Sequence, residues 1–451
     1  MEASLARKKQ GFQGGGTLFL GVVLLLIAAG LLARPFISAP ASASSVPAPV
    51  DAEALLTTGG KATDGYTDRV IGDMQARLKS EPGDYQALAS LGVAYQQKAR
   101  ETNDPAYYAE AEKSFQQALS IKPDDYNSLA GMGALELSRH NFKSALDWGN
   151  KATKVLPNKA YAYGVIGDAH IELGNYDQAV AAFQKMVDLR PDLSSYSRVS
   201  YARELHGDVE GAIQAMQQAV TAGGPAAENT AWCRVQLGNL YFNSNRLDEA
   251  EKAYSEALGG YPGFLHAQAG LAQVKWARGD TAGAIDLYKQ ATASVPLPQY
   301  IAALGDLYTS TGDKQAAAEQ YELVEYIYDL QGKGGVVVDI ERAAFYADHD
   351  IQLAEALQLA QAAAADRNDV HTLDTLAWAL YKNGRYDEAL STQQRALRLG
   401  TRNATFYYHL GMIQNALGEE DQARVSLGIA LDINPNFSPI YSPQARAFLD
   451  K

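Results

Sequence analysis

Apolar residues follow a helical spacing through most of this chain. Leu88, Leu91 and Tyr95 lie three or four residues apart, so they share one face of a helix. Ala111 and Phe115 give a second pattern, in which a small side chain and a large ring lie four residues apart. Because polar residues fill many of the positions between them, the two stretches together predict a pair of amphipathic helices.

The helix pair recurs along the sequence with a period of 34 residues. The spacing is visible in two sets of residues: Ala111, Ala145 and Ala179, and Pro123, Pro157 and Pro191. A fixed period of this length is typical of stacked units that bury a continuous core only when neighbours pack together. Landmark residues place the starts of ten units near Tyr85, Tyr126, Ala160, Leu193, Ala231, Leu265, Pro298, Val337, Val370 and Ala404.

The repeated pattern L-x-x-L-G-x-x-Y, A-x-x-x-F-x-x-A, P resembles the tetratricopeptide repeat. The resemblance implies an all-α fold, a right-handed α-solenoid of about ten helix pairs in which the first helices line a concave groove. Gly92 is expected to leave room for the second helix. Glycines that tolerate left-handed backbone geometry are expected in the inter-helix turns at Gly174, Gly279, Gly312 and Gly384.

Departures from the repeat are local. Insertions near 102–105, 222–230 and 330–336 are expected to be loops. Glu136 and Gly149 in unit two, and Arg203 in unit four, stand where the pattern has large rings, so these joints are expected to pack least tightly.

Five segments are predicted from these boundaries. Residues 65–437 form the solenoid, including a capping helix at 66–80, and residues 438–451 form a C-terminal capping helix with Pro443 in its first turn. Residues 1–16 are a short cytoplasmic tail, 17–33 a transmembrane signal-anchor helix, and 34–64 a flexible linker rich in Pro, Ala and Ser.

The N-terminal segments predict a membrane-anchored bacterial type of repeat protein. Thr17 to Ala33 carries no charge and is about as long as the shortest helix that crosses a bilayer. Arg7, Lys8 and Lys9 precede it, which favours a cytoplasmic N-terminus and repeats outside the cytoplasm. The sequence Ala41-Ser42-Ala43 leaves cleavage open, in which case the repeats are secreted.

Composition limits the classes of partner that we expect. The formal net charge is -13 with basic residues spread over the repeats, so nucleic acid is not expected as a partner. Cys233 is the only cysteine and is expected to be buried.

The sequence contains no recognisable catalytic motif, and no enzyme activity, cofactor or metal is predicted. Gly59-Gly60-Lys61 is followed by Ala62 and lacks the rest of a phosphate-binding loop. Asp348-His349-Asp350 has metal-ligand chemistry, but it falls in the inter-helix turn of unit eight, where polar residues are ordinary.

The resemblance instead implies a groove that binds protein or peptide partners. Carried onto this sequence, its slots are Tyr161, Asp168, Trp232, Asn239, His266, Gln273, Asp306, Glu341, His371, Asp374, Trp378, Tyr408 and His409. The lysine and asparagine clamp of the family's co-chaperones is absent, since Ala89, Val93, Gly131 and Val165 occupy its slots. The alternative for each aromatic residue is a place in the core.

Two functions are therefore predicted. The first is a membrane-tethered, extracytoplasmic scaffold in envelope or secretion complex assembly. The second is a docking or regulatory module for a separately encoded enzyme, for example in cytochrome c maturation or polysaccharide export.

Overall fold

The computed structural model describes residues 65–102, 104–224 and 228–451, and over these residues it contains 22 helices and no strand. The first half consists of α1 (Tyr66–Ser80), α2 (Tyr85–Thr102), α3 (Ala106–Ile121), α4 (Tyr126–Ser138), α5 (Phe142–Val155), α6 (Tyr161–Glu172), α7 (Tyr176–Leu189), α8 (Leu193–Leu205), α9 (Val209–Ala222), α10 (Glu228–Asn243) and α11 (Leu247–Gly260). The second half consists of α12 (Leu265–Ala277), α13 (Thr281–Ser294), α14 (Pro298–Thr311), α15 (Lys314–Lys333), α16 (Asp339–Asp348), α17 (Leu353–Asp366), α18 (Val370–Lys382), α19 (Tyr386–Ala396), α20 (Ala404–Ala416), α21 (Glu420–Ile433) and α22 (Tyr441–Leu449).

Helices α2 to α21 form ten consecutive pairs, which confirms the all-α repeat array. Unit starts agree with the sequence to within a few residues. In unit five the first helix begins at Glu228 instead of near Ala231, so part of the expected glycine-rich loop is helical.

In several units, a ring of the second helix packs where a glycine removes a side chain from a first helix. A Cβ added to Gly92 would lie 2.6 Å from Phe115 Cε1, and one added to Gly131 in the next unit would lie 2.5 Å from Phe115 Cζ. Tyr254 similarly fills the space at Gly238 and Gly270. The expectation for Gly92 is confirmed.

The joint of unit two is packed although it lacks the usual ring, and whether it is looser than the other joints stays a prediction. A Cβ added to Gly149 would lie 2.8 Å from Ile166 Cγ1, and one added to Gly133 would lie 2.8 Å from Val165 Cγ1. Aliphatic side chains of unit three therefore fill the space that a ring occupies elsewhere.

Each inter-helix turn of units two to ten contains one residue with left-handed backbone geometry. Gly174, Gly279, Gly312 and Gly384 have φ between 74° and 87°, as expected. The same slot also contains His140, Gly207, Asn245, Asp350 and Gly418. The non-glycine members carry strain that the packed helix pair must overcome.

Helices flank the array at both ends. Val70 and Met74 of α1 are buried against the first unit. Helix α22 begins at Tyr441, and its residue Ala445 is fully buried.

The repeats wind into a superhelix that contacts itself after six units. Inter-helix turns of units two to four, and the end of α10 in unit five, touch the starts of units eight to ten and the segment after unit ten. We call this contact the seam; its hydrogen-bonded pairs are His140–Val337, Glu172–Arg367, Tyr176–Val370, Leu205–Thr401 and Phe242–Asn434, 192 to 197 residues apart. These separations, divided by the repeat period of 34 residues, correspond to about six repeat units per turn of the superhelix.

Two of the sequence insertions meet across the superhelix. A Cβ added to Gly334 would lie 2.6 Å from Pro105 Cγ, so the insertion of unit one packs on the segment before unit eight. Gln97 in unit one also donates to Glu228 Oε2 at 3.0 Å, at the start of unit five. The predicted loop at 330–336 is shorter than expected, because α15 continues through Lys333.

The predicted tail, anchor and linker, residues 1–64, lie outside the described residues. None of the helices from α1 to α22 combines the length and apolar character that a membrane crossing requires.

Candidate functional site

All of the groove residues predicted from the sequence lie on first helices of the helix pairs. The buried ones are Tyr161, Asp168, Trp232, Gln273, Asp306, Asp374, Trp378, Tyr408 and His409. The partly exposed ones are Asn239, His266, Glu341 and His371.

Asp168 is paired inside the array. Arg198, on the first helix of the next unit, donates from Nε and Nη2 to its carboxylate at 2.7–3.1 Å, and both side chains are buried. Burial raises the pKa of Asp168, and Arg198 opposes the rise. Removing either partner would leave an unpaired buried charge, at a cost of about 3–5 kcal/mol.

Asp306 joins units seven and eight. Its Oδ1 lies 2.9 Å from His349 Nε2 and accepts from the Tyr321 hydroxyl at 2.9 Å. The other His349 nitrogen lies 2.7 Å from the Phe345 carbonyl oxygen, so both ring nitrogens face acceptors. Burial lowers the pKa of His349, but Asp306 and Asp348 more than offset this and leave it raised.

Asp374 forms the matching pair between units nine and ten. His409 Nδ1 lies 3.1 Å from both carboxylate oxygens, and Gln393 Nε2 donates to Oδ1 at 2.6 Å. Gln393 also donates to the Phe406 carbonyl oxygen at 2.9 Å. Both buried acid–histidine pairs therefore link neighbouring units.

A third charged cluster lies at the seam. Arg367 donates to Glu172 at 2.5 Å and to Asp369 at 3.2 Å, and Glu341 lies 3.7 Å from His140. Burial raises the pKa of Glu172 to about 8; Arg367 opposes the rise, whereas Asp369 and Glu341 add to it. Burial is the largest cause of this shift, and the neighbouring carboxylates reinforce it.

The aromatic residues pack mostly on one another. Trp378 is stacked between Tyr381 and His409, with ring centroids 4.7 Å and 4.1 Å away. Tyr441, at the start of α22, stacks on Tyr408 at 4.6 Å and donates to the Asp348 carbonyl and carboxylate oxygens at 3.0 and 2.9 Å. For Trp378 and Tyr408, the core alternative describes their positions.

These contacts change the expected character of the concave face. Asp168, Asp306 and Asp374 do not present free charge to solvent, because each has a buried partner. Binding of a peptide by the groove residues stays a prediction, and the partly exposed members are the ones that an incoming segment can reach in this conformation.

The sequence did not lead us to predict the pairing of Arg198 with Asp168, of His349 with Asp306, or of Tyr441 with Asp348. Arg198 follows Asp168 by 30 residues and His349 follows Asp306 by 43, so each pair joins consecutive units. That arrangement is a signal available in the sequence, because adjacent units contact each other in a stacked array. Tyr441 lies 93 residues from Asp348 and gives no such signal.

The residues considered for a metal are engaged elsewhere. Asp348 accepts from Tyr441, His349 bonds Asp306 and Phe345, and Asp350 pairs with Lys382 at 2.7 Å. No group of three or more His, Cys, Asp or Glu side chains suited to a metal ion occurs in the part of the chain that the structure describes.

Comparison with known families agrees with this architecture. The family model of the tetratricopeptide repeat matches residues 165–227, 235–297, 270–329 and 375–436. These segments of the chain contain tetratricopeptide repeats. Mouse tetratricopeptide repeat protein 36 is 33% identical to it over 87 residues, which cover 19% of this chain and 47% of that relative. The chain thus spans about half the length of the curated relative that it matches.

Solved structures with partial similarity include a thermophilic tetratricopeptide-repeat protein of Thermus thermophilus. It is 24% identical, with a TM-score of 0.38, over 43% of this chain and 99% of the other. The human IFIT1 dimer with PPP-AAAA is 16% identical, with a TM-score of 0.46, over 74% of this chain and 78% of the other. A repeat protein of Parabacteroides merdae is 16% identical, with a TM-score of 0.40, over 58% of this chain and 94% of the other.

Proposed function

We propose that the chain is a membrane-tethered scaffold whose repeats hold protein partners outside the cytoplasm during assembly of an envelope or secretion complex. The observation that carries the scaffold is the repeat array, because its ten helix pairs account for nearly all described residues. The uncharged run from Thr17 to Ala33, preceded by Arg7, Lys8 and Lys9, supports the tether and its orientation.

Partner segments dock on the concave side of units five and six in this proposal. Asn239 and His266 are partly exposed there, whereas most of the other groove residues are buried. Gln236 lies beside Asn239, which donates to it at 3.3 Å, and it is also partly exposed. These polar groups offer hydrogen bonds to an extended or helical segment.

A photo-crosslinking experiment tests this surface. A photoreactive residue at Gln236 in the full-length chain is expected to capture a partner in membranes. The matched control is a photoreactive residue at Lys252, which is exposed on the second helix of the same unit. Capture at Lys252 but not at Gln236 would move the docking surface to the convex side and overturn this assignment.

Protease digestion tests the tether. Protease added to cells with a permeabilised outer layer is expected to digest the repeats while a cytoplasmic marker survives. A chain that begins at residue 65 lacks the proposed export signal and should be protected. Equal protection of both chains would overturn the orientation, and a mature N-terminus near Ser44 would show cleavage.

A further inference from the structure

A small cavity lies inside the superhelix, between units five to seven and the segment that follows unit ten. Its volume is about 30 Å³, which exceeds the space that one water molecule needs. Its wall includes Phe242, Trp276, Tyr288 and Tyr441. Aromatic rings therefore form much of the lining, and their faces attract positive charge.

Two of the polar side chains in the wall, Asp306 and Gln273, carry an acceptor atom without a donor. Asp306 is fully buried, and its Oδ2 has no hydrogen-bond partner among the described residues, since His349 and Tyr321 both bond Oδ1. Gln273 is 8% exposed, and its Oε1 is likewise unpartnered in the described structure. Buried acceptors without donors are rare and cost about 1–3 kcal/mol each.

The chemistry of these groups selects a ligand. Both unpartnered atoms accept hydrogen bonds, so the ligand must donate. A carboxylate beside aromatic rings favours a cation over a neutral donor. The small volume suits the compact head of a primary amine better than the wider planar guanidinium group.

We propose that this cavity binds a primary ammonium group, with Asp306 and Gln273 as its acceptors and the rings of Trp276, Tyr288 and Tyr441 around it. The group comes from a lysine side chain or from a small free amine. Gln273 and Asp306 are also slots of the predicted peptide groove. The proposal does not rest on the scaffold function, because a free amine can bind whether or not the array holds a protein partner.

Saturation-transfer NMR on the full-length protein in detergent, with methylammonium chloride as the probe, tests the proposal. We expect saturable binding that tetramethylammonium, which has no N–H donor, does not reproduce. Asp306→Asn and Gln273→Met should each weaken binding by about tenfold or more, because each loses an acceptor of a charged group. Glu136→Gln, a buried carboxylate in unit two, is the control and should bind like the wild type.

Asp306→Asn also disturbs the pair with His349, so Gln273→Met keeps the test interpretable. It removes an unpartnered acceptor and should leave thermal stability unchanged or higher. Competition by N-acetyl-lysine methylamide would assign the site to a peptide lysine, and binding of methylammonium alone would assign it to a free amine. Absence of saturable binding, binding that both variants retain, or occupancy by a buried water only would overturn the proposal.

Discussion

At the scale of single residues, the repeat joint depends on a glycine facing a ring. A Cβ added to Gly167 would lie 2.2 Å from Phe183 Cε1, and Phe183 is buried. Gly167→Ala is therefore expected to destabilise the protein by about 1–3 kcal/mol through overpacking. Urea unfolding measures this free energy.

Gly72→Ala is the matched control for this substitution. Gly72 lies inside α1 with nothing within 4 Å of an added Cβ, so alanine should raise the free energy of unfolding by about 0.5–1 kcal/mol. Equal effects of the two substitutions would contradict the role of close packing at Gly167.

His266 gives the structure a titratable residue with a predictable effect. Burial lowers its pKa to about 4 from an ordinary value of 6.5, and its Nδ1 lies 2.7 Å from the Tyr300 hydroxyl. Between these two values the unfolded chain binds a proton that the folded chain does not, so stability falls as pH falls from 6.5 to about 4. The loss is at most about 3 kcal/mol, since the ring is partly exposed.

Urea unfolding across this pH range, on the wild type and on His266→Gln, isolates that contribution. The variant keeps a polar side chain near Tyr300 but cannot take up the proton. Its free energy of unfolding should therefore fall less than that of the wild type as the pH is lowered. Identical pH profiles would show that His266 is protonated equally in both states.

At the scale of helices, the positions of the helix pairs were predicted mostly from local sequence signals. The 34-residue period, the prolines and the turn glycines place the ten pairs, because each acts within a few residues along the chain. His140, Asn245 and Asp350 were not predicted as left-handed turn residues, because the prediction considered glycine alone; Asn, Asp and His adopt this geometry more often than other non-glycine residues do.

Helix α22 contacts unit eight through Tyr441. Its hydroxyl makes two buried hydrogen bonds to Asp348, so Tyr441→Phe is expected to cost about 1–2 kcal/mol of unfolding free energy. Tyr386→Phe, at an exposed position, should change the free energy of unfolding little.

Removal of residues 443–451 should lower the free energy of unfolding more than Tyr441→Phe does, because Ala445 is fully buried. A truncated chain as stable as the full chain would contradict the capping role.

The superhelix shows what sequence reasoning did not reach. Contacts at the seam join residues 192 to 197 positions apart, and no repeat landmark marks them. The cavity lies next to this contact, since Asn434 donates to the carbonyl oxygen of Phe242, which lines the cavity. The groove residues were placed on the correct helices, but their partners in neighbouring units were not foreseen.

At the scale of the whole molecule, the seam changes the expected unfolding behaviour. An array held only by neighbouring units unfolds in stages, as the sequence alone would suggest. Here units three and four also contact units nine and ten, and their residues share one buried cluster with Val370 and Phe406. Unfolding is therefore expected to be more cooperative, and weakening the seam should restore separate stages.

Gly174→Ala tests the seam. Gly174 has φ 76°, and an added Cβ would lie 2.4 Å from the Asn368 carbonyl oxygen across the seam. Gly384 has nearly the same φ, 74°, but nothing lies within 4 Å of an added Cβ. Both substitutions carry about 1–2 kcal/mol of backbone strain. Only Gly174→Ala should also speed hydrogen exchange at the Val370 amide, which donates to the Tyr176 hydroxyl at 2.8 Å, and split unfolding into stages. If the two variants unfold alike, with Val370 equally protected, the six-unit contact does not stabilise the superhelix, and its cooperativity must come from neighbouring repeats alone.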